Sequence, residues 1–236
     1  MRLQLLCGIA LTASAFVRPV HASLIIDSFE TTQSLTVTEK ASNDSDWAAG
    51  GDILGGHRGI ELDLAAPLSG RNNVDIAIDS SNALDFSQGS GAGRALLVWD
   101  GRQSGQVGSV DSAGLNIDLT ENGRNAAIAF DVLFNDRPIG MTFTLYSDST
   151  PFSYTYALPG GTGSLGTHVI SFAAFPAGFD PTQVGAISLL IDGTTAAGAD
   201  LRVKDLRCVP FAVPEPSTWL LLSLAGLGIG FYRFRG

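Results

Sequence analysis

Short runs in which apolar and polar residues alternate, separated by glycine, proline and aspartate turns, fill the middle of this chain. A period of two puts one side of each run on a core and the other in water, which is the pattern of a half-buried strand. Ile60-Glu61-Leu62-Asp63-Leu64 and Val74-Asp75-Ile76-Ala77-Ile78 show it most cleanly. The same pattern predicts strands at 24–26, 34–39, 94–99, 126–133, 141–146, 153–157, 168–172, 186–191 and 201–206, with Pro151, Pro159-Gly160-Gly161 and Asp192-Gly193 as punctuation. No amphipathic run of three helical turns interrupts them, and there is no strand–helix–strand rhythm. The chain is therefore all-β, with a single β-sandwich as its main domain. The roughly 190 residues available suffice for one hydrophobic core.

Both ends differ from this middle. Arg2 precedes an apolar stretch over 3–16, and Val20-His21-Ala22 places modest side chains ahead of Ser23, as in an export signal cleaved between Ala22 and Ser23. At the other end stand Val213-Pro214-Glu215-Pro216-Ser217-Thr218, an uncharged leucine-rich run over 219–232, and Arg233 and Arg235. Pro214 and Pro216 lack amide hydrogens and fix φ, which keeps the segment extended, as a protease substrate must be. The apolar run is about 21 Å long as a helix, against a hydrocarbon core of about 30 Å, and residues 216–218 with snorkelling arginines bring it near spanning length. The arginines stay cytoplasmic by the positive-inside rule, leaving the sandwich outside.

The order of proline-flanked glutamate, apolar helix and basic end resembles the PEP-CTERM sorting signal of Gram-negative bacteria. That resemblance implies export, a transient inner-membrane anchor, and processing by exosortase, an integral-membrane cysteine protease-transpeptidase. The expected organisation is a signal peptide at 1–22, the ectodomain at 23–208, a linker at 209–212 and the sorting signal at 213–236. Within that signal the motif is 213–218, the transmembrane helix 218–232 and the basic tail 233–236.

The full chain has 14 basic and 23 acidic residues. Arg2, Arg18, Arg233, Arg235 and Glu215 lie in the two signals, so the ectodomain keeps ten basic and 22 acidic residues, a net charge of −12. A nucleic acid or an anionic membrane needs a basic footprint and is excluded as its partner. Cys208 is the one cysteine outside the signals, so no internal disulfide forms.

Catalytic patterns are missing: no Gly-x-Ser-x-Gly, no His-Glu-x-x-His and no cysteine pair. Gly161-Thr162-Gly163-Ser164-Leu165-Gly166 fits a phosphate-loop spacing but runs toward a strand-like segment. The expectation is a protein that is not an enzyme. For ligands, the polar segment 43–52 offers Trp47 with Asp46, a ring to stack on a sugar and a carboxylate to bind its hydroxyls, or else an ordinary core-anchoring tryptophan. His57 and Arg58 follow Gly55-Gly56 in a turn, and Trp99 closes a strand.

Ile25-Ile26-Asp27-Ser28-Phe29-Glu30 and the segment 200–206 are similar to the opening and closing strands of carbohydrate-binding jelly-roll modules. The resemblance implies neighbouring first and last strands, with a structural calcium nearby for which Asp27, Glu30, Asp200 and Asp205 are the candidate ligands. The functional expectation is a secreted, exosortase-sorted structural or adhesive component of the exopolysaccharide layer of a biofilm. A carbohydrate-binding module on that polysaccharide is the alternative, and an extracellular glycoside hydrolase the next.

Overall fold

The computed structural model describes residues 23–38, 43–66 and 73–210. Within the described residues thirteen strands make two antiparallel sheets. The strands are β1 (Ile25–Asp27), β2 (Gln33–Val37), β3 (Asn43–Ala49), β4 (His57–Ala66), β5 (Val74–Ile78), β6 (Leu84–Gln88) and β7 (Ala92–Trp99). They continue with β8 (Ala127–Asn135), β9 (Ile139–Ser147), β10 (Thr150–Leu158), β11 (Gly166–Ser171), β12 (Val184–Asp192) and β13 (Asp200–Val209). One sheet runs β11-β8-β13-β6-β5-β2 with β1 also on β13; the other runs β10-β9-β12-β7-β4-β3. Successive stretches of chain cross between the sheets, giving a jelly-roll-like sandwich.

The alternation read from the sequence forms the core. Ile60, Leu62 and Leu64, Leu97 and Trp99, Phe143 and Leu145, and Ile187, Leu189 and Ile191 project inward from one sheet. They meet Ile76, Phe86, Ile128, Phe130, Val132, Leu201 and Val203 from the other. Each such side chain contributes about 1.5–3 kcal/mol by leaving water. Helix among the described residues is confined to three single 3-10 turns, Leu54–Gly56, Thr162–Ser164 and Phe172–Ala174. The second of these leads into β11, so the phosphate-loop spacing at Gly161–Gly166 opens onto a strand.

β1 pairs with β13, as the jelly-roll resemblance implies, and Cys208 N–H donates to the Leu24 carbonyl at 2.8 Å. β13 pairs with β6 through Val203, bulges, and then pairs with β1. Asp205 sits in that bulge with φ of 53°. β13 extends to Val209, one residue past the domain boundary expected from the sequence. Two strands go beyond those read from the sequence. β6 is not among the expected strands, although Leu84-Asp85-Phe86-Ser87 alternates over its short length, and β3 is a strand where segment 43–52 reads as a loop. The sorting motif, the run 219–232, Arg233, Arg235 and Ala22 lie outside the described residues. No helix among the described residues is long and apolar enough to cross a membrane.

Candidate functional site

Most of the sequence-nominated ligand residues serve the fold. Asp27 is completely buried. Its carboxylate accepts two contacts from Arg58 Nη1 at 2.8 and 3.0 Å, Trp99 Nε1–H at 2.9 Å and Phe29 N–H at 2.8 Å. Arg58, also fully buried, gives Nε–H to Gln33 Oε1 at 3.0 Å and Nη2–H to the Thr31 carbonyl at 2.8 Å, and lies 5.9 Å from the Phe29 ring centre. Burial pushes the Asp27 carboxyl above the usual carboxylate range, against the charge and hydrogen bonds of Arg58 and the bonds from Trp99 and Phe29. The "Gly-Gly-x-Arg" turn is thus the delivery route for a core arginine. Gly55 and Gly56 have φ of 72° and 79°, a region costly for other residues, and they drop Arg58 onto the inner face at the start of β4. His57, its neighbour, points the opposite way, with Nδ1 3.4 Å from the Gly55 carbonyl. Trp99 is core.

Trp47 and Asp46 do not form a site together, because adjacent residues on a strand face opposite ways. Trp47 lies on the outer face of β3 over Gly59, where an added Cβ would meet its ring at 3.0 Å. Its Nε1–H donates to the Gly105 carbonyl at 2.9 Å, and the Arg102 guanidinium stands 5.8 Å from its ring centre. Asp46 faces Gln33, with 3.5 Å between Oδ2 and Nε2. The tryptophan therefore pins the loop after β7. The buried Asp100 organises that loop, accepting from Arg102 N–H, Arg102 Nε–H and Asp111 N–H at 3.1, 2.8 and 2.8 Å.

The calcium ligands do not converge. Asp27 is saturated by Arg58 and Trp99, and Asp200 opens β13 while Asp205 sits beyond its middle. Among the described residues no group of three histidine, cysteine or acidic side chains is placed to hold a metal ion. These residues do not fit the ion. Cys208 is buried, and burial together with the nearby Glu121 charge pushes its thiol up to about 12, so it is inert.

The site that sequence reasoning missed is a cleft of about 710 Å³ on the outer face of the seven-stranded sheet. Its walls come from Leu133 and Phe134 on β8, Asp200 and Arg202 on β13, Asp85 and Ser87 on β6, and Ser81 in the preceding turn. Strict alternation from Ile128, Phe130 and Val132 would send Phe134 inward. Instead Arg202 opposes Phe134 while Val203 opposes Val132, so Leu133 is an extra residue that shifts the register. The shift turns both apolar side chains outward, 48% and 49% exposed, and buries Asn135 in their place. Arg202 reaches Ser81 Oγ with Nη2 at 2.6 Å, and its Nε lies 3.3 Å from Asp85 Oδ1 but finds no aligned hydrogen-bond acceptor. Asp200 Oδ1 accepts from Ser87 Oγ at 2.6 Å. Partial burial raises the Asp85 carboxyl, with Arg202 opposing and Asp79 adding to the effect. An exposed ring beside half-engaged donors and acceptors is suited to a ligand with both apolar and hydroxyl surface.

The outer face of the six-stranded sheet differs in kind. Thr142 pairs with Thr155 and Thr144 with Ser153, each through hydroxyls 2.9 Å apart.

The chain matches the PEP-CTERM protein-sorting motif over residues 212–235. No curated protein matches it in sequence. Among solved structures it is similar to the family 11 carbohydrate-binding module of the cellulosomal cellulase Lic26A-Cel5E of Clostridium thermocellum, at 12% identity and a TM-score of 0.37 over 80% of this chain and 95% of that one. It is also similar to the family 30 carbohydrate-binding module of the cellulosomal cellulase Cel9D-Cel44B of the same organism, at 14% identity and a TM-score of 0.37 over 76% and 99%. An exo-β-agarase aligns at 9% identity and a TM-score of 0.42, over 81% of this chain and 26% of that one.

Proposed function

We propose that this protein is exported, held briefly in the inner membrane, processed by exosortase, and then serves as a non-catalytic adhesive component of the cell surface or extracellular matrix. The sorting motif at 212–235 supports the route. The observation that carries the adhesive part is the cleft itself. Phe134 and Leu133 offer an apolar wall to the C–H face of a sugar ring, while Asp85, Asp200, Ser87 and Arg202 stand ready for its hydroxyls. The net charge of the ectodomain favours a neutral polysaccharide over an anionic one.

Two experiments test this. Substituting Pro214→Ala together with Glu215→Ala should block processing and leave the protein in the inner membrane fraction; normal release would sink the sorting reading. A glycan array with residues 23–212, with and without calcium, should show binding that Phe134→Ala weakens by about tenfold or more. Binding unaffected by that change would move the contact elsewhere. Asp85 and Asp200 share the cleft, so release of reducing ends from a bound glycan would instead favour the hydrolase reading.

A further inference from the structure

The two ends of the sandwich leave from one pole. β1 and β13 run antiparallel with Ile25 opposite Arg207, which sets the first residue of β1 beside the last residues of β13. Ser23, where the mature chain begins on the signal-peptide reading, lies two residues before β1. Val213 follows the end of β13 by four residues, and a fully extended chain covers about 3.3–3.6 Å per residue, so the motif begins no more than about 15 Å from the last strand. On so short a leash, whatever cuts the motif comes up against that pole.

The pole has a definite surface. Besides the strand ends it carries the loop between β7 and β8, the β9–β10 turn and the segment between β11 and β12. Those connections carry the acidic residues Asp111, Asp118, Glu121, Asp148 and Asp180, outnumbering their basic residues Arg102 and Arg124. Asp118 and Asp180 come from separate connections and lie near enough to feel each other's charge. An acidic surface is repelled by anionic headgroups and attracted by a protein surface rich in lysine and arginine. The Phe134 cleft sits at the far end of the same strand: Arg202 precedes Val209 by seven residues, about 23 Å of strand.

Resting on the sorting reading above, we infer that the sandwich is processed with its terminal-strand pole docked on a basic, outward-facing surface of the membrane-embedded protease, and with the Phe134 cleft directed away from the membrane. β13 then works as a strut. Its last residues lead into the tether, and its first residues present the adhesive site.

Single cysteines test this in the full chain expressed in cells. Cys208 is buried with a raised thiol pKa and stays silent to a maleimide, and Cys7→Ser removes the other thiol. Ala113→Cys and Ala177→Cys place reactive groups at the pole, and Thr162→Cys and Thr195→Cys at the opposite end, all on exposed residues. Each variant is labelled with a benzophenone maleimide and irradiated in cells whose processing protease is catalytically inactive. The expected result is a covalent adduct with the protease from positions 113 and 177, and loss of that adduct to background from 162 and 195. Equal adducts from both ends would overturn the inference. Adducts with lipid alone from 113 and 177 would overturn the choice of partner. If the Pro214→Ala, Glu215→Ala protein is processed normally, the sorting reading fails; if it is trapped while the adduct pattern is flat, only the docking inference fails.

Discussion

Two of the aspartate–arginine pairs, Asp27–Arg58 beside Phe29 and Asp85–Arg202 beside Phe134, are built to opposite ends. In the pair Asp27–Arg58 both side chains are wholly out of water, and each polar atom faces a fixed partner: Trp99, Phe29, Gln33 and the Thr31 carbonyl. In the pair Asp85–Arg202 the side chains are 37% and 36% exposed, the contact is 3.3 Å, and Arg202 Nε lacks an acceptor. The first is complete and binds β1 to the rest of the fold. The second is open to solvent next to the exposed Phe134. Full burial marks a structural pair, and exposure beside an apolar ring marks a candidate site.

Removing one member of each pair should separate them most. Asp27→Ala leaves a buried guanidinium without its counter-charge and should cost about 3–5 kcal/mol. At about 2–4 °C per kcal/mol for a domain of this size, the melting temperature falls by roughly 6–20 °C. Differential scanning calorimetry checks it. A loss no larger than that from Asp85→Ala would erase the distinction between the pairs.

Trp47 provides an intermediate case, an aromatic that resembles a ligand platform and is used as a clamp. Trp47→Ala removes the bond to Gly105 and the contact with Arg102, for an expected cost of about 1–2 kcal/mol. Hydrogen exchange should speed up in the loop 100–118 and stay unchanged in β8 and β13. Lost glycan binding with an intact loop would restore Trp47 as a ligand residue.

These residues also show how far sequence can reach. The sandwich was legible because burial imposes a period of two on β4, β5 and β9, and the two sheets hide one face of each. β3 was not, since an edge strand needs no apolar alternation and Asn43-Asp44-Ser45-Asp46 has none. The neighbouring first and last strands were legible through a resemblance, whereas the role of Asp27 was not. A carboxylate at the end of a short strand looks the same whether it will meet calcium or a core arginine 31 residues away in the other sheet. Phe134 was hidden for a sharper reason. Counting by twos from Phe130 sends it inward, and only the extra residue at Leu133 reverses it. The one local sign is Leu133-Phe134 itself, two adjacent large apolar residues that a regular strand cannot bury on one face.

Phe134→Ala tests that reversal directly. The ring is half exposed, so stability should stay within about 0.5 kcal/mol while glycan affinity drops about tenfold. A stability loss of core size would mean that the ring packs inward in solution and that the cleft does not exist as described.

The smallest effect carries the most specific sign. Asp85 has its carboxyl raised by partial burial, so the folded state binds its proton more readily than the unfolded chain does. For such a group ionisation works against the fold at neutral pH, and stability is regained as pH falls through the folded-state value toward the ordinary carboxylate range near 3.9. Asp131 has the opposite sign. Burial raises its carboxyl, but the hydrogen bonds from Arg207 and Thr167 and the charges of Arg207 and Lys204 outweigh this and hold it low. Its contribution is present above the unfolded value and is lost on acidification. Asp85→Asn should therefore leave the protein as stable as the parent at pH 7 or slightly more so, with the difference vanishing below about pH 4. Asp131→Asn should be slightly less stable at pH 7, with its difference largely kept at pH 4 and vanishing only at lower pH, as the folded-state carboxyl takes up its proton. Paired urea titrations at pH 7, pH 4 and about pH 2.5 read both. A residue that the fold holds at a small cost, and whose neutral replacement weakens glycan binding while sparing stability, is kept for the ligand. If Asp85→Asn is instead clearly destabilising at pH 7, the Asp85–Arg202 pair is a second structural bridge, and the contrast with Asp27–Arg58 becomes one of degree.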